Sequence, residues 1–389
     1  MSVFHRCFYH FVKGVITPYF ALTGHKAVKY KPKAKTYLVL MNHTTNWDFF
    51  LCGLCLPKHM YFVASEHIVR KSFTGNLIRF LSNPIPKKKG ASGNSTSQEI
   101  IRRIKNGYCV AMNVEGSRCF NGETGTISPA NAKLVKDCGV SLITCRIHGG
   151  YLQNPRWSNE KRKGPTWSEI VHEYSPDEIS QMTDEELNAR IHDDIYVNAF
   201  EDQKVKKAKY TCKKPAENLE RALYLCPDCH NFSTLKSDGN RLYCTSCGLE
   251  LLYDDFGFFS SFTDRKAQFN NVLDWDRWQV SFIREKLLQY KDSETEIFGD
   301  DNQKLYEVKD GVKIFVEVGR ASVYNNRLVV AGKSFEYSEI TKFSLSMSDT
   351  ILFSVSDGSY YEIRTEVPRS SLKYLMAVRF FQGKELILR

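Results

Sequence analysis

Several groups of residues in this 389-residue chain are of types and spacing that could do chemistry. His43 follows an apolar run and stands five residues before Asp48, in Asn-His-Thr-Thr-Asn-Trp-Asp-Phe-Phe. A neutral imidazole near pH 7 accepts a proton from an alcohol, and a nearby carboxylate fixes its tautomer and stabilises the cation that forms. The plainer reading of the pair is structural: Thr44 or Asn46 caps a helix, Asp48 favours its N-terminal dipole and His43 fills a loop. Some 70 residues on, Glu115-Gly116-Ser117-Arg118 follows a second apolar run. Arg118 offers paired planar donors suited to a phosphate, and Gly116 allows a tight turn or a close backbone approach. Glu115 could orient Arg118 or contact a hydroxyl; a turn with a surface ion pair is the plainer alternative. Cys226-Pro-Asp-Cys229 and Cys244-Thr-Ser-Cys247 are two C-x2-C pairs 14 residues apart. That pattern delivers four thiolates to tetrahedral zinc and closes its coordination shell, which makes the metal structural; iron or a redox pair are the alternatives.

Elements must position these groups. Thr-Tyr-Leu-Val-Leu-Met before His43, Tyr108–Met112 before Glu115, and Gly-Val-Ser-Leu-Ile-Thr-Cys read as buried strands. Between the first two, Ile100, Ile101 and Ile104 share one side of a helix that Gly107 stops. Alternating strand and helix predict an α/β domain with a largely parallel sheet, whose functional groups gather at strand carboxyl ends. Residues 175–203 read as helix, with Thr183 and Glu186 in capping-box spacing, and the lysine-rich run from Lys204 as an exposed linker. Beyond it come the cysteine pairs, a helix around Asp274–Tyr290 capped by Asp274, and then short β-rich runs with turns at Asn325-Asn326 and Asp357-Gly358. A final helix carries Leu372, Leu375, Met376 and Phe380 on one face. The pattern of this last part resembles a pleckstrin-homology-like or GRAM-like barrel. The expected organisation is thus residues 1–211 as an α/β domain, 212–255 as a zinc ribbon, and 256–389 as a helix plus a β-rich domain.

Composition sets limits on function. An apolar content of 42% and a charged content of 25% are those of a globular chain. The net charge of +10 is lopsided: residues 1–150 hold 21 Lys/Arg against 6 Asp/Glu. Such a half attracts nucleic acid, phosphorylated substrates or an acidic membrane face. No stretch is apolar for the roughly 18 residues of a membrane span. At the N-terminus Phe4, Phe8, Phe11, Val12, Val15 and Ile16 recur at helical spacing. They predict an amphipathic helix, bent or ended by Pro18, that lies on a bilayer or packs on its own domain. Eight of the twelve cysteines sit mostly in apolar contexts, the pattern of a reducing compartment.

His43-Thr-Thr-Asn-Trp-Asp48 followed by Glu115-Gly-Ser-Arg118 resembles the glycerolipid acyltransferases, typified by 1-acylglycerol-3-phosphate acyltransferase, over residues 1–200. The resemblance implies that His43 is the general base on a glycerol hydroxyl and that Asp48 orients it. It further implies a fatty acyl thioester of coenzyme A or acyl carrier protein as donor, and a phosphate of a lysophospholipid or glycerol-phosphate acceptor held by Glu115, Gly116, Ser117 and Arg118. Lys87, Lys88 or Lys89, in Asn-Pro-Ile-Pro-Lys-Lys-Lys, stands where the family carries a phosphate-contacting arginine; a surface charge run explains each of them equally. The family's phenylalanine-proline before the second motif is Asn113-Val114 here, its threonine is Ser117, and these departures leave the acceptor open. The expected setting is cytoplasmic, on the inner face of an anionic membrane, with structural zinc in the ribbon. Two other readings stand beside this one: a zinc-ribbon nucleic-acid binder, which the even charge of residues 212–250, five Lys/Arg against five Asp/Glu, disfavours, and an inactive lipid-binding scaffold.

Overall fold

The computed structural model describes residues 2–65, 73–87, 94–262, 266–309, 312–346, 350–365, 367, 369–384 and 386. The chain divides into two compact units, Met1–Pro155 with Lys163–Tyr210, and Arg156–Arg162 with Thr211–Leu388.

In the first unit the order is α1 (Ser2–Leu22), β1 (His25–Ala27), β2 (Tyr37–Met41), α2 (Asp48–Cys55), β3 (Met60–Ser65), α3 (Phe73–Ser82), β4 (Ile85–Lys87), α4 (Asn94–Lys105) and β5 (Cys109–Asn113). It continues with α5 (Ala130–Cys138), β6 (Ser141–His148), α6 (Gly150–Gln153), β7 (Thr166–Tyr174), α7 (Pro176–Gln181), α8 (Asp184–Ile195) and α9 (Ala199–Lys206). The strands form one sheet in the order β1-β7-β6-β2-β5-β3-β4. From β6 to β4 all neighbours are parallel; β7 runs antiparallel to β6, and β1 pairs parallel with β7. The sheet is therefore mixed, with its parallel part where the sequence carries continuous apolar runs. Strand β7 escapes a hydropathy reading because its polar and apolar residues are interleaved and several are only half-buried.

Side chains alternate across β2 with period two and feed two cores. Leu38 and Leu40 pack with Ile100, Ile104, Val110, Leu187 and Ile191 on one face. Tyr37, Val39 and Met41 pack with Leu51, Cys52, Ala111, Ile143 and Phe20 on the other. Helix α2, which begins at Asp48, is thereby clamped over the sheet. Its C-terminal carbonyls are met by two ammonium groups: Lys13 bonds the oxygens of Gly53 and Leu56, and Lys29 that of Leu54 at 2.8 Å. Cations there satisfy orphan acceptors and complement the helix dipole.

Pro18 lies inside α1, which continues to Leu22 rather than ending. One face of α1 buries His5 and Phe20 and half-buries Tyr9 and Ile16, whereas Phe4, Phe11, Val15 and Leu22 are 45–89% exposed. In α3, Leu77 and Phe80 are also exposed, and the Phe80 ring lies 5.4 Å from that of Phe4. Among the described residues no helix is long and apolar enough to cross a membrane.

The expected single helix after residue 175 is three helices. Ser175 with Glu178 and Thr183 with Glu186 each close a capping box, and Asn198 caps α9, so each start signal opens its own helix. The lysine-rich run beyond α9 is not wholly exposed: Tyr210 is buried and donates to the Pro165 carbonyl at 2.8 Å.

The second unit opens with a four-stranded antiparallel sheet of β8 (Leu235–Asp238), β9 (Arg241–Cys244), β10 (Glu250–Tyr253) and β11 (Phe259–Ser261). Helix α10 (Val272–Gln289) follows; its cap is Asn271, not Asp274, because the Asn271 side chain accepts from the Asp274 N–H and donates back to the Asp274 carboxylate. Then come β12 (Phe298–Lys309), β13 (Val312–Val323), β14 (Arg327–Val330), β15 (Lys333–Glu336), β16 (Ile340–Ser346), β17 (Thr350–Val355) and β18 (Tyr360–Thr365), and α11 (Leu372–Phe381). These strands form an antiparallel sheet in the order β15-β14-β13-β12-β18-β17-β16. Beneath it the Lys373 ammonium is fully buried; it contacts Asp300 at 2.7 Å and Ser233, within an aromatic enclosure of Phe232, Phe298 and Tyr374.

Candidate active site and metal centre

Strands β2 and β5 are parallel neighbours, so the loops after them emerge side by side. Met41, Asn42 and His43 leave β2, while Asn113, Val114 and Glu115 leave β5. The second loop stitches the first in place. Val114 N–H reaches the Met41 carbonyl at 3.2 Å, and Cys119 N–H the His43 carbonyl at 2.9 Å. The Glu115 carboxylate accepts the His43 N–H at 2.5 Å and, with its other oxygen, the Gly125 N–H at 2.8 Å. On the opposite side Asn42 exchanges two side-chain bonds of 2.8 Å with the backbone of Ile147 in β6.

Within this frame the His43 Nδ1 lies 2.7 Å from Asp48 Oδ2. Asp48 is fully buried and its carboxylate is saturated with donors. Oδ1 accepts from the Thr44 hydroxyl at 3.1 Å and from the Thr45 N–H and hydroxyl, both at 2.9 Å. Oδ2 accepts from the Thr44 N–H at 2.8 Å and, more distantly, from the Asn113 amide at 3.4 Å. All of these groups donate, so Asp48 faces Nδ1 as an acceptor; with the proton on Nδ1, Nε2 of a neutral ring is left as a lone-pair acceptor. Thr44 and Asn46 are not helix caps: Trp47 holds that position without a side-chain cap, and the Thr45 hydroxyl instead accepts the Trp47 N–H at 2.9 Å.

Glu115 therefore holds the histidine's backbone. Burial pushes its carboxyl up to about 8; the Gly125 and His43 N–H donors oppose this, and the neighbouring Asp48 charge adds to it. A carboxyl whose folded value lies above its ordinary 4.5 stabilises the fold fully below pH 4.5 and loses that contribution as pH rises through about 8. Urea unfolding measured from pH 4 to 9 is expected to show this decline in wild type and to lack it in Glu115→Gln. A decline of equal size in both would refute the assignment. The variant also turns an amide N–H toward a backbone donor, which costs about 1–3 kcal/mol at every pH.

Gly116 and Ser117 are exposed and Arg118 is half-buried, its burial pulling the guanidinium down from its usual value. Gly116 is not in the left-handed region, and a Cβ there would meet nothing within 4 Å. The chain bends at Gly116 and Ser117 without a positive φ, so the bend itself does not require glycine. Lys87 is exposed at the end of β4, the edge strand of the sheet, with β3 between β4 and β5. The sheet order thus places Lys87 three strand spacings from β2, about 14 Å, so Lys87 is not drawn into the His43 loop. Lys88 and Lys89 lie outside the described residues, as does His67. His148 and His59, which have no evident partner in the sequence, do have neighbours: His148 Nδ1 lies 2.7 Å from Asp202 with its ring stacked on Trp167, and His59 packs on Tyr9 and Tyr61.

Residues 25–148 match the family model described as Acyltransferase. His43, Asp48 and Glu115–Arg118 all fall inside that stretch; the paired cysteines and the β-rich region fall outside it. The crystal structure of the 1-acyl-sn-glycerophosphate (LPA) acyltransferase PlsC from Thermotoga maritima is similar at 21% identity and a TM-score of 0.41. That likeness covers 48% of this chain and 75% of that one. No curated protein matches the chain significantly.

In the second unit the four paired cysteines converge, with all four sulfurs within 4.8 Å of one another. Cys226 and Cys247 sulfurs are 3.6 Å apart, Cys229 and Cys244 3.7 Å. Sulfurs bound at about 2.3 Å to one tetrahedral ion would stand about 3.8 Å apart, so the cage fits zinc. Each pair is followed by a residue in the left-handed region, His230 at φ 58° and Gly248 at φ 73°. These let the chain fold back so that the His230 N–H meets the Cys226 carbonyl and the Gly248 N–H that of Cys244.

Proposed function

We propose that this protein is an O-acyltransferase that moves a fatty acyl group from a thioester, of coenzyme A or acyl carrier protein, to a hydroxyl of a lysophospholipid or glycerol-phosphate acceptor. The observation that carries this reading is the His43–Asp48 contact, in a domain that matches the acyltransferase family. In this reading the acceptor hydroxyl gives its proton to His43 Nε2 and its oxygen attacks the thioester carbonyl. The tetrahedral intermediate collapses with the thiol as leaving group, which recovers the proton. Asp48 keeps the imidazole in the competent tautomer and stabilises its cation without taking the proton. Arg118, Gly116 and Ser117 would hold the acceptor's phosphate, Gly116 by leaving room for it, and Glu115 acts on His43 rather than on substrate. Lys87 could reach only the far end of a headgroup. The test is a mass-spectrometric screen of lysolipid acceptors against both donor types, with His43→Ala as blank. Transfer that persists at the wild-type rate in that variant would overturn the reading.

We further propose that the first unit works on an anionic membrane surface. The exposed face of α1 carries Phe4, Phe11, Val15 and Leu22, and Phe4 meets the exposed Phe80 of α3, in a half of the chain rich in Lys and Arg. An apolar stripe of this kind enters the headgroup boundary, and basic residues add about 1 kcal/mol each at an anionic bilayer. The double variant Phe11→Asp, Val15→Asp is expected to abolish co-sedimentation with phosphatidylserine vesicles while leaving the melting temperature within a few degrees. Unchanged sedimentation would remove α1 from this role. In the ribbon, zinc bound by Cys226, Cys229, Cys244 and Cys247 would be structural, since four thiolates leave no open position. The β-rich part, read as pleckstrin-homology-like or GRAM-like, would supply a further lipid or protein contact.

A further inference from the structure

We propose that Asn113 is a positioning residue of the His43–Asp48 pair, sharing its two amide protons between the Asn42 carbonyl and the Asp48 oxygen that also faces His43. The Nδ2 lies 2.7 Å from the Asn42 oxygen and 3.4 Å from Asp48 Oδ2. It comes from the last residue of β5, in register with Met41 at the end of β2. No other side chain from β5 bonds both the peptide that leads into His43 and the carboxylate that orients its ring. Glu115 binds the N–H of the Asn42–His43 peptide and Asn113 binds its carbonyl; Asn113 adds a longer contact to a carboxylate that Thr44 and Thr45 also hold.

The shared amide ties the Asn42 carbonyl to Asp48, which constrains where Nε2 points. Loss of the amide therefore removes orientation from the base.

This proposal rests on the acyltransferase reading for its kinetic arm only. In Asn113→Leu, nearly isosteric but without donors, kcat is expected to fall about 10–100-fold, with KM within twofold of wild type. A variant with wild-type kcat, or one altered in KM alone, overturns the proposal. The second arm uses wild-type protein and needs no activity. The Asn113 side-chain amide resonances in a 15N–1H spectrum are expected to follow the His43 titration and to lose that inflection in His43→Ala, a coupling that a merely space-filling Asn113 would not show. An amide blind to the titration overturns the proposal even if Asn113→Leu fails to fold. If no acceptor is acylated by wild type, the kinetic reading fails while the spectroscopic arm still decides the role of Asn113.

Discussion

His43→Ala is expected to lower kcat for acyl transfer by about 10²–10⁴-fold with little change in KM. That corresponds to about 3–5 kcal/mol of lost transition-state stabilisation. The magnitude follows from what remains: donor and acceptor would still be held together, and proximity alone keeps part of the rate. Asp48→Asn is expected to be as damaging for a different reason. Its carboxylate takes four donors from Thr44 and Thr45 besides the histidine, the N–H and the hydroxyl of each. A carboxamide would turn its own N–H groups against some of them. Because the two residues act as one device, the double variant should be no slower than the worse single variant. Single-turnover rates with a labelled acyl thioester measure this. Effects that simply multiply in the double variant would show that His43 and Asp48 act separately, and the tautomer argument would fall.

Stripping the metal should have the largest effect on the second unit. Structural zinc in such cages carries about 10–16 kcal/mol of apparent binding free energy, against a whole-domain stability of about 5–15 kcal/mol. A strong chelator, or Cys244→Ser, is therefore expected to unfold the ribbon. The effect should spread further, because Ser233 in the ribbon shares the Lys373 ammonium with Asp300 of β12. Elemental analysis is expected to find one zinc per chain. Hydrogen exchange should then show protection lost across β8–β11 and in β12 and α11 on chelation, while β2 and β5 keep theirs. Metal-free protein with the same protection would refute the structural role.

The parallel strands were legible because β2, β5 and β6 are buried on both faces and read as unbroken apolar runs. The cysteine cage was legible because its spacing is local. What the sequence concealed is of two kinds. Strand β7 and the edge strand β1 are short or half-polar, so periodicity says little about them. Asn113 acts 65 residues away from Asp48, and no local pattern points across that gap. Thr44 and Thr45 could have been found, since hydroxyl residues three and four positions before an acid are the right distance to donate back to it. A helix-cap reading of Thr44, with no role for Thr45, hid their part in holding Asp48. Glu115 was recognised as special, but its buried partners are backbone N–H groups, which leave no mark in composition.

The buried Lys373 ammonium also bears on how this chain can be cut and how it matures. Asp300 is translated well before Arg369 and Lys373, the cations that face it, and a carboxylate sealed from water without a counterion costs about 3–5 kcal/mol. Until the ribosome reaches the closing helix, the β-rich sheet lacks the charge its buried acid requires. A stop codon upstream of residue 369 would leave a product for proteases to clear.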